Sequence, residues 1–404
     1  MKSSTNFLRI LWSEYKKQSL IFALLFLSSS LYAQLLCGAD QPEQYLPRLK
    51  NKKVAVVVNQ TSCLHHDTTF HLVDFLIKNK INIRCIFAPE HGFRGNYEAG
   101  AAVKNDTDTK TGIAVLSLYG KNKKPTAAQL SGIDVVLFDI QDVGVRFYTY
   151  ISTLHYVMEA CAEQNKPLII LDRPNPNGFY VDGPVLESRF ASFVGMHPVP
   201  VVHGMTIGEY ARMINGEKWL KNKLMCALHI VRVKNYTHSY RYTLPVAPSP
   251  NLRTMTAIYL YPTLCFLEGT SYSLGRGTDW PFECAGKPGL KYGNFEFTPV
   301  PLKGVADNPP YANTPCRGIR YSELIDSTFF TKPRLLLNVL LQLYTRDNDT
   351  ASFFTPFFDK LAGNNTFRQQ LSTGIDELTI RGSWASGLSQ YMKTRKKYLI
   401  YSDK

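Results

Sequence analysis

None of the eight cysteines between Cys37 and Cys316 forms a Cys-x-x-Cys pair, and none has zinc-type spacing, which speaks against a zinc-ribbon protein. Cys85 and Cys161 sit in apolar surroundings suited to buried free thiols; one or two disulfides could form after export, but the spacing identifies none. No Gly-x-Gly-x-x-Gly follows the first strand-like run, which disfavours a nicotinamide or flavin enzyme and any nucleotide cofactor. A Gly-x-Ser-x-Gly nucleophile elbow is missing as well. His65-His66-Asp67 and His71 have no His-Glu-x-x-His motif to support a metal site, and they read as a solvated helix start. Repeats and low-complexity tracts are absent, and after the N-terminal segment no apolar stretch is long enough to cross a membrane.

Acidic residues are also scarce: 32 Asp and Glu stand against 46 Lys and Arg, a formal net charge of +14. Such a surplus favours an anionic environment. The basic residues are scattered rather than gathered into an aromatic-flanked stripe, so an acidic cell-wall polymer fits better than nucleic acid. A basic surface without function is the plain alternative.

The 404 residues, 45% hydrophobic and 19% charged, suffice for a large core and two domains. At the N-terminus, Lys16-Lys17 precede the apolar Leu20–Leu27 stretch and the small residues up to Ala33. That order predicts a signal peptide over residues 1–33, hence export to the periplasm or cell envelope. Cys37 makes a poorer lipid anchor, because Leu36 precedes it.

Five apolar runs then each stop at a polar cluster. Val54–Val58 ends in Asn59-Gln60-Thr61, Ile83–Ala88 in Pro89-Glu90-His91-Gly92, and Val135–Phe138 in Asp139-Ile140-Gln141-Asp142. Leu168–Leu171 ends in Asp172-Arg173-Pro174-Asn175, and Val199–Val202 in His203-Gly204. Ile113–Leu118 reads as a further strand. Helical spacing separates them at Thr69–Asn79, Pro125–Leu130, Tyr150–Gln164 and Thr206–Asn215. The alternation predicts an α/β fold: a Rossmann-like, mostly parallel sheet with helices on both faces. Composition shifts near Tyr240–Asn251, where Pro245, Pro248 and Pro250 disfavour regular structure. We therefore expect a catalytic domain over residues 34–240 and a smaller C-terminal α+β domain over 241–404, with a helix at Pro333–Leu343.

Ligands of open α/β sheets bind beyond the carboxyl ends of the strands, so these junctions predict one active-site rim. Glu90, at the end of a buried strand, is placed for general acid work, with His91 to orient it or to bind substrate; a turn cap is the bland alternative. Asp139, Asp142, Arg146 and Tyr148 gather acid, base and aromatic groups within ten residues. They suit chemistry on an anionic sugar, although an internal Asp–Arg pair would have the same sequence. Prolines hold Arg173 and Asn175 still, and His203 stands at a strand end. Thr206-x-x-Glu209 matches a capping box as well as a catalytic carboxylate. Asn59, Glu268 and Arg276 complete the candidates, the last two in Gly-containing loops.

The segments NQTS (59–62), PEHGFRG (89–95), DIQDVGVRFYTY (139–150), DRPNPNG (172–178), HGMTIGEYA (203–211), SPN (249–251), EGTSYSLGRGTDWPFE (268–283) and FFDKLAG (357–363) closely resemble the NamZ-type exo-β-N-acetylmuramidases. That resemblance implies hydrolysis of β-linked N-acetylmuramic acid from the non-reducing end of peptidoglycan fragments, without a cofactor or metal. It places the site in a cleft near the domain junction and makes Glu90 the general acid/base. The partner carboxylate is left among Asp142, Asp139 and Glu209. Arg146, Arg173 and Arg276 are available for the lactyl carboxylate, and the 2-acetamido group could itself serve as nucleophile. Rival readings are another wall hydrolase, such as a glucosaminidase or metal-dependent amidase, and a non-catalytic envelope sugar-binding protein. The spatial expectation is that Glu90, Asp142 and Arg173 surround one hollow.

Overall fold

A computed structural model describes residues 34–64, 67–94 and 105–404. The expected signal peptide, His65 and His66, and the centre of the Phe93–Gly112 insertion lie outside the described residues.

The Val- and Ile-rich runs become strands because side chains on both faces of each strand need burial. Strands β1 (Lys53–Val58), β4 (Asn82–Ala88), β6 (Ala114–Ser117), β7 (Val135–Asp139), β8 (Leu168–Leu171) and β9 (Leu228–Val231) are parallel. An antiparallel edge strand, β5 (Asp106–Thr107), completes a seven-stranded sheet in the order β5-β6-β4-β1-β7-β8-β9. Strands β2 (Cys63–Leu64) and β3 (Asp67–His71) form a hairpin beside it. The chain grows outward from β1 through β4 to β6, then returns to lay β7, β8 and β9 on the other side. This reversal opens the crevice at the strand ends where such folds bind ligands.

Two expectations need correction. Val199–Val202 is not a strand of the sheet: Val202 makes only isolated bridges to Val145 and Asp182. Pro198 and Pro200 lack the N–H groups a ladder needs. The outermost parallel position is taken by Leu228–Val231, a half-buried edge strand with a weak apolar signal. The helix expected from Thr69 begins at Leu72, where the His71 ring accepts a hydrogen bond from the Val73 amide. Thr68 and Thr69 stand in β3 instead, as β-branched residues favour.

Helices Tyr150–Glu163 and Ile207–Gly216 follow the expected spans closely. The C-terminal part holds a small antiparallel sheet in the order β10-β12-β11, made of β10 (Cys284–Lys287), β11 (Phe295–Phe297) and β12 (Cys316–Arg320). Around it lie helices that include Met255–Leu264, Leu337–Arg346 and Glu377–Lys396. One apolar cluster runs from Val57, Phe138 and Leu154 to Leu264, Phe266, Phe367 and Trp384, so both parts share a core. The cysteines are buried free thiols.

Candidate active site

A cavity of about 540 Å³ opens over the carboxyl ends of β4, β6 and β7 and is closed from the other side by the C-terminal part. Its volume lies in the range of small-molecule sites. Glu90 and His91 enter it from the end of β4, Tyr119 from beyond β6, and Tyr148, Thr149 and Tyr150 from beyond β7. Glu268, Tyr272, Arg276 and Tyr311 face them from the C-terminal part. Among the described lining residues, Glu90 and Glu268 are the only carboxylates and Arg276 the only guanidinium.

Glu90 is delivered by a tight turn. His91 adopts a left-handed φ of 69°, and the Gly92 amide donates to the Pro89 carbonyl at 3.0 Å. A buried non-glycine residue in that conformation stores strain that its surroundings must hold. Glu90 itself is 8% exposed. Its Oε2 accepts a hydrogen bond from Thr149 Oγ1 at 2.5 Å, and the Tyr119 hydroxyl also bonds to it. Burial first, then the Glu90 and Glu268 carboxylates, push the Tyr119 phenol above its ordinary pKa. Under this carboxyl lies an aromatic floor: the Tyr148 and Tyr150 rings meet edge to face at 4.9 Å, and both hydroxyls donate to the Pro248 carbonyl. Asn59 Nδ2 donates to the Tyr150 hydroxyl at 2.8 Å, so Asn59 supports the floor from behind.

The opposite wall carries Glu268, on a short 3₁₀ turn Cys265–Gly269 rather than a flexible loop. Phe266 and Leu267 anchor that turn in the core. Gly269 lets it press against Phe358, whose backbone nitrogen would lie 2.4 Å from a Cβ there. Arg276 Nη2 bonds to Glu268 Oε1 at 2.5 Å, and its guanidinium lies 4.9 Å from the centre of the Phe282 ring.

The remaining candidates do not line this cavity. Asp139, fully buried, holds Arg173 through two bonds of 2.5 and 2.8 Å, and Arg173 also donates to the Cys63 carbonyl. Burial works against the Arg173 charge, but the Asp139 carboxylate and its hydrogen bonds leave the guanidinium pKa raised. Arg146 is fully buried and donates to the carbonyls of Pro184, Val199, Leu361 and Ala362. Glu209 accepts from the Thr206, Ile400 and Tyr401 amides and bonds to His238, as a capping box extended to the C-terminal tail. Asn175 Nδ2 donates to the Met205 carbonyl, and its Oδ1 accepts from the Asn177 amide in its own loop. Asp142 accepts from the Gly144 amide, with His203 Nε2 3.9 Å from its Oδ2, both beneath the surface. Of Glu90, Asp142 and Arg173, then, only Glu90 reaches the hollow. The expectation of a shared hollow fails because Arg173 is consumed by Asp139, and Asp142 turns back onto its own loop.

Tyr119 and Thr149, the residues that hold Glu90, were not singled out from sequence. Their signal was positional: Tyr119 directly follows a predicted strand, and Thr149 lies inside the 139–150 segment.

Two family models match in tandem: "Exo-beta-N-acetylmuramidase NamZ, N-terminal" over residues 54–256 and its C-terminal counterpart over 259–401. The chain is 40% identical over 376 residues to a Bacillus subtilis (strain 168) protein named "Peptidoglycan beta-N-acetylmuramidase NamZ", covering 88% of this chain and 89% of that one. Crystal structures of two DUF1343 family proteins from Bacteroides fragilis NCTC 9343 share the fold. One superposes with a TM-score of 0.85 at 42% identity, covering 92% of this chain and all of that one. The other gives 0.74 at 27% identity, covering 91% and 99%. With both halves matched in order, the chain belongs to the NamZ exo-β-N-acetylmuramidase family of glycoside hydrolases.

Proposed function

We propose that the protein is exported and removes N-acetylmuramic acid from the non-reducing end of peptidoglycan fragments, with Glu90 as general acid/base. The observation that carries this reading is the cavity itself: a sugar-sized hollow with one carboxyl held by Thr149 and Tyr119 on one wall, facing Arg276 on the other. Two hydroxyl groups fix the Glu90 rotamer, so the proton is aimed rather than free to wander. The Tyr148 ring, backed by Tyr150, gives the cavity an apolar surface for a pyranose ring. Muramic acid differs from glucosamine by its lactyl ether, which carries a carboxylate. Arg276 uses one end of its fork on Glu268 and keeps further N–H donors for that carboxylate.

The test is to incubate the purified protein with two disaccharides, MurNAc–GlcNAc and GlcNAc–MurNAc, and to identify the products by mass. Cleavage of the first alone, releasing free N-acetylmuramic acid, is the expected result. Cleavage of the second instead would indicate a glucosaminidase. Binding of either without turnover would indicate a sugar-binding protein.

A further inference from the structure

We infer that Glu268 is the second catalytic carboxylate, taking the acetamido N–H of the bound sugar while Glu90 handles the leaving-group proton. This rests on the proposed muramidase reading and names the partner of Glu90. Three other candidate carboxylates are engaged elsewhere: Asp139 with Arg173, Glu209 with backbone amides and His238, and Asp142 with the Gly144 amide. Glu268 faces the same cavity as Glu90. Tyr119, whose hydroxyl bonds to Glu90, lines that cavity with both carboxylates.

The build of the wall suits an acceptor that must not move. The 3₁₀ turn and the Gly269–Phe358 contact fix the Glu268 backbone. Gly275, at φ 72°, turns the chain so that Arg276 can reach back; a Cβ there would lie 2.6 Å from the Trp280 carbonyl oxygen. Arg276 thus holds Glu268 Oε1, which fixes the carboxylate as an acceptor for the N–H of the ligand.

In the step this arrangement supports, the glycosidic bond from C1 to the leaving oxygen breaks. Its electron pair goes to that oxygen, which takes the Glu90 proton. A lone pair of the acetamido carbonyl oxygen forms the new bond to C1, and Glu268 holds the N–H proton of the resulting oxazolinium. Water then adds at C1 and gives its proton to Glu90. The bond from C1 to the acetamido oxygen breaks as this happens, and its electrons restore the amide. The released sugar retains its β configuration.

The experiment compares Glu268→Gln with Glu90→Gln on MurNAc–GlcNAc and on a 2,4-dinitrophenyl muramide, whose leaving group needs no proton. Glu268→Gln should lower kcat on both substrates by about 100-fold or more, the scale of one acid/base group. Glu90→Gln should lose the disaccharide but keep early turnover of the dinitrophenyl substrate. A muramic thiazoline, which mimics the cyclised intermediate, should bind wild type tightly and Glu268→Asp at least tenfold less tightly, which keeps a readout if the glutamine variant misfolds. Near-wild-type activity of folded Glu268→Gln, a product of inverted configuration, or equal thiazoline binding would overturn the inference and leave the substrate assignment standing. Wild type inert on every muramide would overturn the substrate assignment and the inference with it.

Discussion

Asp142 is a carboxyl buried beside a neutral histidine, and its titration has a measurable cost. Burial raises its pKa from 3.8 to about 7, against which the Gly144 and Val143 amides pull only partly. His203 next to it is pushed down to about 3, by burial first and then by Arg395 and Arg146, and stays uncharged. For a group whose folded pKa lies above its unfolded value, the stability is fully present below the unfolded pKa. It is lost as pH rises through the folded one. Asp142 therefore weakens the fold between about pH 4 and pH 7 by an amount on the order of a few kcal/mol. Asp142→Asn cannot ionise and keeps an oxygen for the Gly144 amide. Its melting temperature, measured against wild type, should gain progressively from pH 4 to pH 8. A gap that does not change with pH would show that Asp142 is not protonated in the folded protein.

Arg146 acts at the scale of elements. Its guanidinium donates to four carbonyls on three separate stretches, Pro184, Val199 and the Leu361–Ala362 pair. It thereby ties the loop after β7 to the irregular Val199 segment and to the helix Phe357–Ala362. Burial lowers its pKa to about 9, so the charge persists at neutral pH on carbonyl dipoles alone. Removing it strands several buried acceptors, each worth about 1–3 kcal/mol. Arg146→Met should lower the free energy of unfolding by at least 3 kcal/mol, read from denaturant midpoints, and Arg146→Lys should recover little because an ammonium cannot span the fork. A loss below about 1 kcal/mol in the methionine variant would mean that water replaces the clamp.

Considered whole, residues 36–404 form one compact unit in which the sheet and the C-terminal helices share apolar contacts. Trp219 reports on the sheet side, and Trp280 and Trp384 on the C-terminal part. Fluorescence of single-tryptophan variants and far-ultraviolet circular dichroism should give one coincident transition in urea, as expected where a core is not divided. Separate midpoints for Trp219 and Trp384 would show that the two parts unfold independently. The cavity depends on this shared core, because Glu90 and Glu268 come from opposite sides of it.

What the sequence by itself determined is the parallel sheet and the place of Glu90. Four apolar runs carry enough Val, Ile and Leu to demand burial on both faces, and a strand end must put its next residue at the crevice. Edge positions were less legible: β9 is half-buried, and the prolines beside Val199 act on hydrogen bonding, which an apolar pattern does not register. Only the tertiary structure decided which charged residues face the hollow. Asp139 and Arg173 lie 34 residues apart, and Glu268 and Glu90 far more. Whether a carboxylate meets a guanidinium, a backbone amide or an open cavity depends on which distant segment packs against it. Local spacing holds no record of that partner, so Asp139, Glu209 and Glu268 look alike along the chain and differ in space.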